Sequence, residues 1–402
     1  MAQHAAGNRA AVVGGSIAGL TAALLLRDAG WEVDVFERSA VPLEGRGGGI
    51  VGHPATFRYL VARAGLAPAE ISVSASRLRY LDAEGDIAYE EKCRYRFTSY
   101  DALYRRLLDC FDRSRYHLSQ ECVGLDDTGG RPCLLFASGR VAPSDLVVFA
   151  DGINSIGRQV LAPEAQPGYA DYVAWRGTVG EEQLGSAAFE TLGNAITYHI
   201  LAAGHFISYP IPGQESGVDV GGRLMNWLWY RNVGAGSELD DLLTGSNDVR
   251  FATSVPPGLV PDERVAELAR EATANLPPVM AEVVGQTAEP YIQVIVDVAV
   301  ERMASGRVCL IGDGAFTLRP HIAVGTAKAA EDAWTLAAAL EGAGEDTVAA
   351  LASWSQRQVA LGTRAAERSR EAGKRLQSGR WRVGEPLPYG LYRVGDSSIA
   401  AG

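Results

Sequence analysis

A chain of 402 residues is long enough for a sizeable core and about two domains. Its formal charge of −11, with no basic run, argues against a nucleic-acid partner and against an anionic membrane surface. No apolar stretch reaches the roughly 18 residues of a spanning helix, and the polar segment Met1 to Arg9 reads as a fraying end without a secretory signal. Five scattered cysteines (Cys93, Cys110, Cys122, Cys133, Cys309) contain no C-x-x-C, which points to reduced thiols in a cytoplasmic protein and to no metal site.

The first apolar run, Ala10 to Val13, ends in Gly14–Gly15–Ser16–Ile17–Ala18–Gly19. A helical stretch from Leu20 to Ala29 follows and is closed by Gly30; a second strand, Val33 to Phe36, ends in Glu37–Arg38. This is the strand–turn–helix–strand unit that binds a dinucleotide diphosphate. Its glycines let backbone N–H groups approach phosphate, and the helix N-terminus adds partial positive charge. Glu37 stands where a carboxylate can accept ribose hydroxyls. Ser16 replaces the middle glycine of G-x-G-x-x-G and offers phosphate a hydroxyl as well as an N–H. The competing reading is a Rossmann-like unit whose turn is merely structural.

Gly45–Arg46–Gly47–Gly48–Gly49–Ile50–Val51 reads either as backbone running close against a flat ligand or as a flexible loop. A helix starts at Pro54 and stops at Gly65. Residues 71 to 91 have hairpin patterning, with a turn at Asp82–Gly85. Ser99 opens a helix with Leu103, Leu107, Leu108 and Phe111 on one face. The wholly apolar run Leu146 to Ala150 predicts a buried strand, and it leads into Asp151–Gly152 and on to Arg158.

From Tyr169 to Val296 the pattern predicts an antiparallel sheet, with strands at Val173–Val179, Ala195–Ile200, His205–Tyr209 and Leu224–Tyr230 and a helix at Asp262–Asn275. A strand is expected at Val294–Val300. Another, Arg307 to Ile311, ends in Gly312–Asp313, ahead of helices at Thr326–Leu340 and Asp346–Leu376. The expected fold is α/β: a Rossmann-like domain in pieces (1–70, 97–168 and 297–378), interrupted by an antiparallel β-sheet substrate domain (71–96 and 169–296), with C-terminal helices and an irregular tail (379–402). The loops that end the apolar strands then lie side by side, where open α/β sheets bind ligands.

Three motifs line up along the chain: Gly14 to Gly19 with Glu37; Asp151–Gly152 with Ser155 and Arg158; and Gly312–Asp313 followed by Pro320, Gly325 and Glu331–Asp332–Ala333. Their order and spacing resemble the FAD-dependent aromatic hydroxylases of the p-hydroxybenzoate hydroxylase type. Phe97–Asp101, Tyr172–Gly177, Tyr209–Gly213 and Arg319–His321 resemble the 2,6-dihydroxypyridine 3-hydroxylase branch. The resemblance implies tightly bound FAD, with NADH or NADPH as a transient co-substrate, O₂ as the oxidant and a small aromatic substrate. It implies that Gly14, Ser16, Ile17 and Ala18 meet the diphosphate, and that Glu37, Arg38 and Val123 serve the adenosine end. Arg46 and Ile50 would flank the cofactor. Asp151 belongs to the second motif, and Asp313 would hold a ribityl hydroxyl or a water on the diphosphate. Pro320 and the amides of Gly325, Thr326 and Ala327 would face the isoalloxazine. The chain departs from the wider pattern at Tyr100, which replaces a clamping arginine, and at Phe316, Val324 and Ala327.

No second glycine fingerprint exists, since Gly221–Gly222 lacks the spacing, so a nicotinamide donor binds only transiently. The resemblance implies a cycle in which NAD(P)H reduces FAD and O₂ then forms a C4a-hydroperoxide. That species donates OH to an electron-rich hydroxylated aromatic or N-heteroaromatic ring. A base near the ring hydroxyl helps the attack. His321 is the first candidate for it, against a histidine packed in its loop; His53 is the second. Tyr198 and Tyr209 alternate inward on predicted strands, as substrate wall or as core, and Tyr209 is also held as a catalytic candidate. Trp175, Arg176 and Trp227 complete the candidate substrate wall, Arg176 for an anionic group or as a structural residue, and Trp227 with core packing as the rival reading. Two other functions stay open: a flavoprotein oxidase or reductase without oxygen transfer, and a non-catalytic flavin-binding sensor. A homodimer is left open as the assembly.

Overall fold

The computed structural model describes residues 8–45, 48–213, 217–343 and 346–396, so Arg46, expected beside the cofactor, lies outside the described residues. Strand β1 (Arg9–Val13), helix α1 (Ile17–Asp28) and β2 (Glu32–Phe36) form the opening unit. β3 (Gly49–Gly52) and α2 (Pro54–Ala62) lead to the hairpin of β4 (Val73–Leu81) and β5 (Ile87–Ser99). Ser99 then caps α3 (Tyr100–Asp109), its hydroxyl accepting from Ala102 N at 3.0 Å. Short strands β6 (Tyr116–His117), β7 (Cys122–Asp126), β8 (Cys133–Phe136) and β9 (Val141–Pro143) precede β10 (Leu146–Phe149) and α4 (Ile156–Leu161).

The central stretch supplies β11 (Gly168–Gly180), α5 (Ser186–Leu192), β12 (Ala195–Leu201), β13 (Gly204–Ile211) and β14 (Leu224–Asn232). It continues with α6 (Ser237–Leu242), β15 (Ser254–Val255), α7 (Asp262–Asn275), α8 (Pro278–Gly285) and β16 (Tyr291–Asp297). β17 (Ala304–Ser305), β18 (Val308–Leu310), α9 (Gly325–Glu341) and α10 (Thr347–Gln377) follow.

The first sheet has the order β17-β18-β10-β1-β2-β6 and is parallel except for the β17–β18 pair. Val12 lies opposite Val35 on one side and Val148 on the other. The central strands β10 and β18 are apolar throughout, and β1 is from Ala10 on, because the sheet is covered on both faces there. β10 sits between β1 and β18, so the glycine turn, the Asp151–Gly152 loop and the Gly312–Asp313 loop leave neighbouring strand ends on one edge.

The second sheet has nine strands, β15-β16-β11-β14-β13-β12-β4-β5-β3. The sequence predicts an antiparallel sheet; the described strands pair that way except for β12 with β4, which run parallel with Ile196 opposite Leu78. That pair is where the early hairpin joins strands from the later chain segment. β3 also belongs here, Gly49 opposite Ser99, so Gly49, the last of the three glycines, already lies in the second sheet. The last strand before β17 spans Tyr291–Asp297, three residues earlier than expected.

Side chains alternate across this sheet. Trp175, Trp227, Trp229 and Phe206 pack with Leu268, Met280 and Val283 of α7 and α8. The opposite face carries Tyr198, Ile207, Tyr209, Leu228 and Tyr230. Residues 379–396 contain no helix or strand, yet they pack firmly on this second face. Trp381 Nε1 donates to Tyr80 Oη at 3.0 Å, and Tyr389 Oη lies 2.5 Å from Tyr198 Oη.

Candidate active site

A cavity of about 460 Å³ lies between the two sheets. One end is walled by Ser16, Ile17, Ala18, Gly152, Asp313 and Gly325; the other by Arg176, Tyr198, His205, Tyr209, Leu228 and Tyr230.

At the first end the glycine turn has two separate demands. Gly14 adopts φ +96, and a Cβ there would sit 2.4 Å from Ala150 O; at Gly19 it would sit 1.9 Å from Gly14 O. Only glycine lets β10 and α1 close on the turn. Ser16 is the N-cap of α1, but its side chain caps nothing and instead lies 2.8 Å from Tyr100 Oη. Val324, the N-cap of α9, has no side chain that could cap. Two helix N-termini therefore open on one cavity with their first-turn amides unclaimed by caps among the described residues. Such ends bind phosphate and favour negative charge on a ring. This donor set fits FAD, with α1 toward the diphosphate and α9 toward the isoalloxazine.

Asp313 opens onto the cavity, and its removal from bulk water in that recess, together with the nearby Asp332 charge, pushes its carboxyl up to about 6. Pro320, Gly325, Thr326, Ile50 and Tyr100 line the same space. Ala327 does not: it is 1% exposed and packs with Ile322, Leu361 and Ala365 beneath the helix start. Gly14, Glu37, Arg38 and Val123 also stand outside the cavity wall. Glu37 is buried and accepts from Gly15 N at 2.8 Å and Ser39 N at 2.9 Å, tying the end of β2 to the turn. Gln120 N donates to Glu37 O, which brings the chain leading to the exposed Val123 to this edge.

The Asp151 carboxylate is not aimed at the cavity. It accepts from Ser155 Oγ, Ile156 N and Gly157 N at 2.5, 2.7 and 3.2 Å, and so caps α4. Arg158, buried, donates to Ile153 O and to Gly314 O. The second motif thus positions the third, and Gly152 and Ile153 are the members that reach the cavity. The triple-glycine loop also has a protein partner. Gly49 N donates to Asn226 Oδ1 at 2.8 Å, and a Cβ on Gly49 would lie 2.6 Å from the Tyr209 ring. Its close approach is to the second sheet as well as to the ligand space.

At the other end strand parity sorts the candidates. Ala174 and Arg176 face the cavity, so Trp175 between them does not. Leu228 and Tyr230 face it, so Trp227 is on the far side, 0% exposed, its Nε1 donating to Thr287 Oγ1 at 2.8 Å. Both tryptophans are core, and their expected substrate contact is corrected. His53 is displaced too: it is the buried N-cap of α2, and its Nε2–H donates to Ala323 O at 2.7 Å. That bond holds the residue pair before α9, where Ala323 adopts φ +58.

His321 does line the cavity. Its Nε2 lies 2.7 Å from Tyr172 Oη, and its Nδ1 is buried with no partner among the described residues. Burial, the neighbouring His205 and the Arg319 charge hold its pKa well below the ordinary value, so the ring is neutral. His205 is a site residue that the sequence reading passed over. It is 2% exposed, stacked on Tyr230 at 4.5 Å and 5.3 Å from His321, and burial lowers its pKa to about 3. The signal was present, since His205 shares parity with Tyr209 on one predicted strand. Tyr209 stacks on Phe97 at 4.4 Å, and burial pushes its phenol up to about 12, against the opposing pull of Arg176. Arg176 donates to Gln293 Oε1 at 2.7 Å and lies over the Tyr291 ring; no carboxylate among the described residues pairs with it. Tyr389, from the tail, completes this wall through Tyr198.

Comparison with known proteins agrees with this geometry. Residues 12–43 match a model described as NAD(P)-binding Rossmann-like domain, residues 169–297 one described as FAD binding domain-like, and residues 245–369 one described as FAD binding domain. The chain is 38% identical to the 2,6-dihydroxypyridine 3-monooxygenase of Paenarthrobacter nicotinovorans, over 98% of each chain. It is 28% identical to a 3-amino-4-hydroxybenzoate 2-monooxygenase of Streptomyces cremeus, over 83% of this chain and 78% of that one. The solved 2,6-dihydroxypyridine-3-hydroxylase of Arthrobacter nicotinovorans superimposes with a TM-score of 0.91, at 38% identity over 98% and 99% of the two chains. Klebsiella pneumoniae HpxO, solved with FAD and uric acid, shares the fold at a TM-score of 0.75 and 21% identity, over 92% and 89%. The chain belongs to the FAD-dependent aromatic hydroxylases of the p-hydroxybenzoate hydroxylase type, in the branch that contains the 2,6-dihydroxypyridine 3-hydroxylases.

Proposed function

We propose that this FAD-dependent monooxygenase hydroxylates a hydroxypyridine or a comparably electron-rich hydroxylated aromatic ring, with NADH or NADPH as transient reductant. The observation that carries the reading is the single cavity joining two uncapped helix N-termini to a neutral imidazole and an aromatic wall. FAD, when bound, supplies hydride acceptance and O₂ activation, which no side chain here can provide.

The chain's own residues do the rest. The amides opening α1, with Ser16, hold the diphosphate; those opening α9 favour negative charge on the flavin ring. Ile207, Leu228 and Tyr230 exclude water and hold the substrate ring flat against them. With His321 Nε2–H donating to Tyr172 Oη, Nδ1 is an acceptor for the substrate's ring hydroxyl. A weakly basic imidazole orients that hydroxyl without stripping it at rest. It takes the proton as the ring is attacked and the hydroxyl becomes more acidic. Arg176, which no carboxylate among the described residues pairs with, suits a second oxygen of the substrate that carries negative charge. Tyr209 supports the ring's position as a neutral phenol.

No described helix is long and apolar enough to cross a membrane, and the five cysteines are free. The free cysteines support a cytoplasmic enzyme; a homodimer is the assembly left open by the sequence, to be checked by sedimentation. The function is tested with a panel of phenols and hydroxypyridines, following NAD(P)H oxidation, product mass and H₂O₂ release. A product heavier by one oxygen supports the reading. Substrate-stimulated NAD(P)H oxidation that yields only H₂O₂ refutes it and favours an oxidase.

A further inference from the structure

Behind the cavity wall lies a buried ion pair that the chemistry above does not use. Lys328 and Asp332, one turn apart on α9, have side chains 1% and 0% exposed, and Lys328 Nζ is bonded to Asp332 Oδ1. The other carboxylate oxygen, Oδ2, accepts from Gly312 N at 3.1 Å. The ammonium also lies 5.2 Å from the centre of the Phe316 ring.

Gly312 stands at a junction of three elements. It adopts φ +62, and a Cβ there would meet Ala18 of α1 at 3.2 Å and Ala329 of α9 at 3.5 Å. Each neighbour belongs to a segment that faces the cavity: Ala18 in the first motif, Asp313 next along the loop, and the opening turn of α9.

A buried ion pair is weak evidence for stability, because desolvating both ions offsets much of their attraction. Apolar side chains of similar volume would seat α9 equally well. They would leave Gly312 N without its acceptor. We propose that Lys328 and Asp332 are positioning residues: Lys328 holds the Asp332 carboxylate, Asp332 holds Gly312, and the Asp313 loop is thereby set against α1 and α9 at the spacing FAD requires. This inference concerns the grip on the cofactor and is independent of which ring is hydroxylated.

Two double variants separate an anchor from a packing role. Lys328→Met/Asp332→Asn removes both charges and keeps an acceptor for Gly312 N. Lys328→Met/Asp332→Leu removes the acceptor as well. The holoenzymes are stripped of FAD, rebinding is followed by flavin fluorescence, and thermal unfolding of each apoprotein is measured in parallel. The asparagine variant binds FAD within about threefold of the parent and the leucine variant about tenfold more weakly. The two apoproteins unfold within a few degrees of each other. Equal affinity of the two variants overturns the proposal. A loss of affinity in both that follows a fall in Tm overturns it too, since the pair then serves folding alone. If the leucine variant does not fold, Lys328→Met/Asp332→Ala replaces it and is read by the same outcomes.

Discussion

On one face of the nine-stranded sheet, Trp227 is sealed among Phe206, Met280 and Val283 with its N–H satisfied by Thr287. One residue further along the same strand, Leu228 turns to the other face. There His205, Tyr230 and His321 crowd around a cavity, with an imidazole nitrogen of each histidine left unpartnered among the described residues. Both faces are aromatic and both are hidden from bulk water. The difference is the kind of polar group: the core face holds the paired Trp227 N–H and two small hydroxyls, Thr197 and Ser208, whereas the cavity face, among the described residues, keeps neutral imidazoles and an arginine without a carboxylate partner. In this molecule a buried aromatic residue marks the site only where buried titratable or charged side chains stand beside it.

That contrast can be broken from either side. Trp227→Ala should cost about 3–5 kcal/mol of stability, read by urea unfolding of the apoprotein, with KM of any protein that stays folded little changed. A large rise in KM with normal stability would return Trp227 to the substrate wall. His321→Ala should do the reverse, lowering kcat by about 10²-fold with an unchanged melting temperature.

Asp313 sharpens the comparison through pH. Its folded pKa is raised to about 6, above the ordinary carboxyl value, so the folded apoprotein favours the protonated form. That contribution to stability is full below the unfolded pKa and is lost as pH rises through about 6. Asp313→Asn should therefore stabilise the apoprotein at neutral pH, with the gain over the parent vanishing toward pH 4. A gain that is constant across this range would contradict the assignment. The smallest effect is expected at Tyr100→Phe, which removes one hydrogen bond to Ser16, about 1 kcal/mol in FAD affinity by titration.

Much of this was legible in the chain. The strand–turn–helix–strand unit, the buried run at Leu146 and the long helices announce themselves by local pattern. The three motifs converge because their strands are neighbours. What was hidden depends on contacts far apart in sequence. Nothing local says that Asp151 spends its lone pairs on capping α4, that His53 reaches Ala323, or that Tyr389 returns from the tail to Tyr198. The parity of Trp175 and Trp227 was ambiguous because helices α7 and α8 give the sheet's outer face a core of its own. His205 was readable from its parity with Tyr209 on one predicted strand.

The most direct test is turnover under isotopically labelled O₂ with a hydroxypyridine and NADH, reading where the label goes. A cavity that holds flavin and ring together against an excluded solvent puts one labelled oxygen into the organic product. Label found only in hydrogen peroxide, with the ring unchanged, would contradict the account.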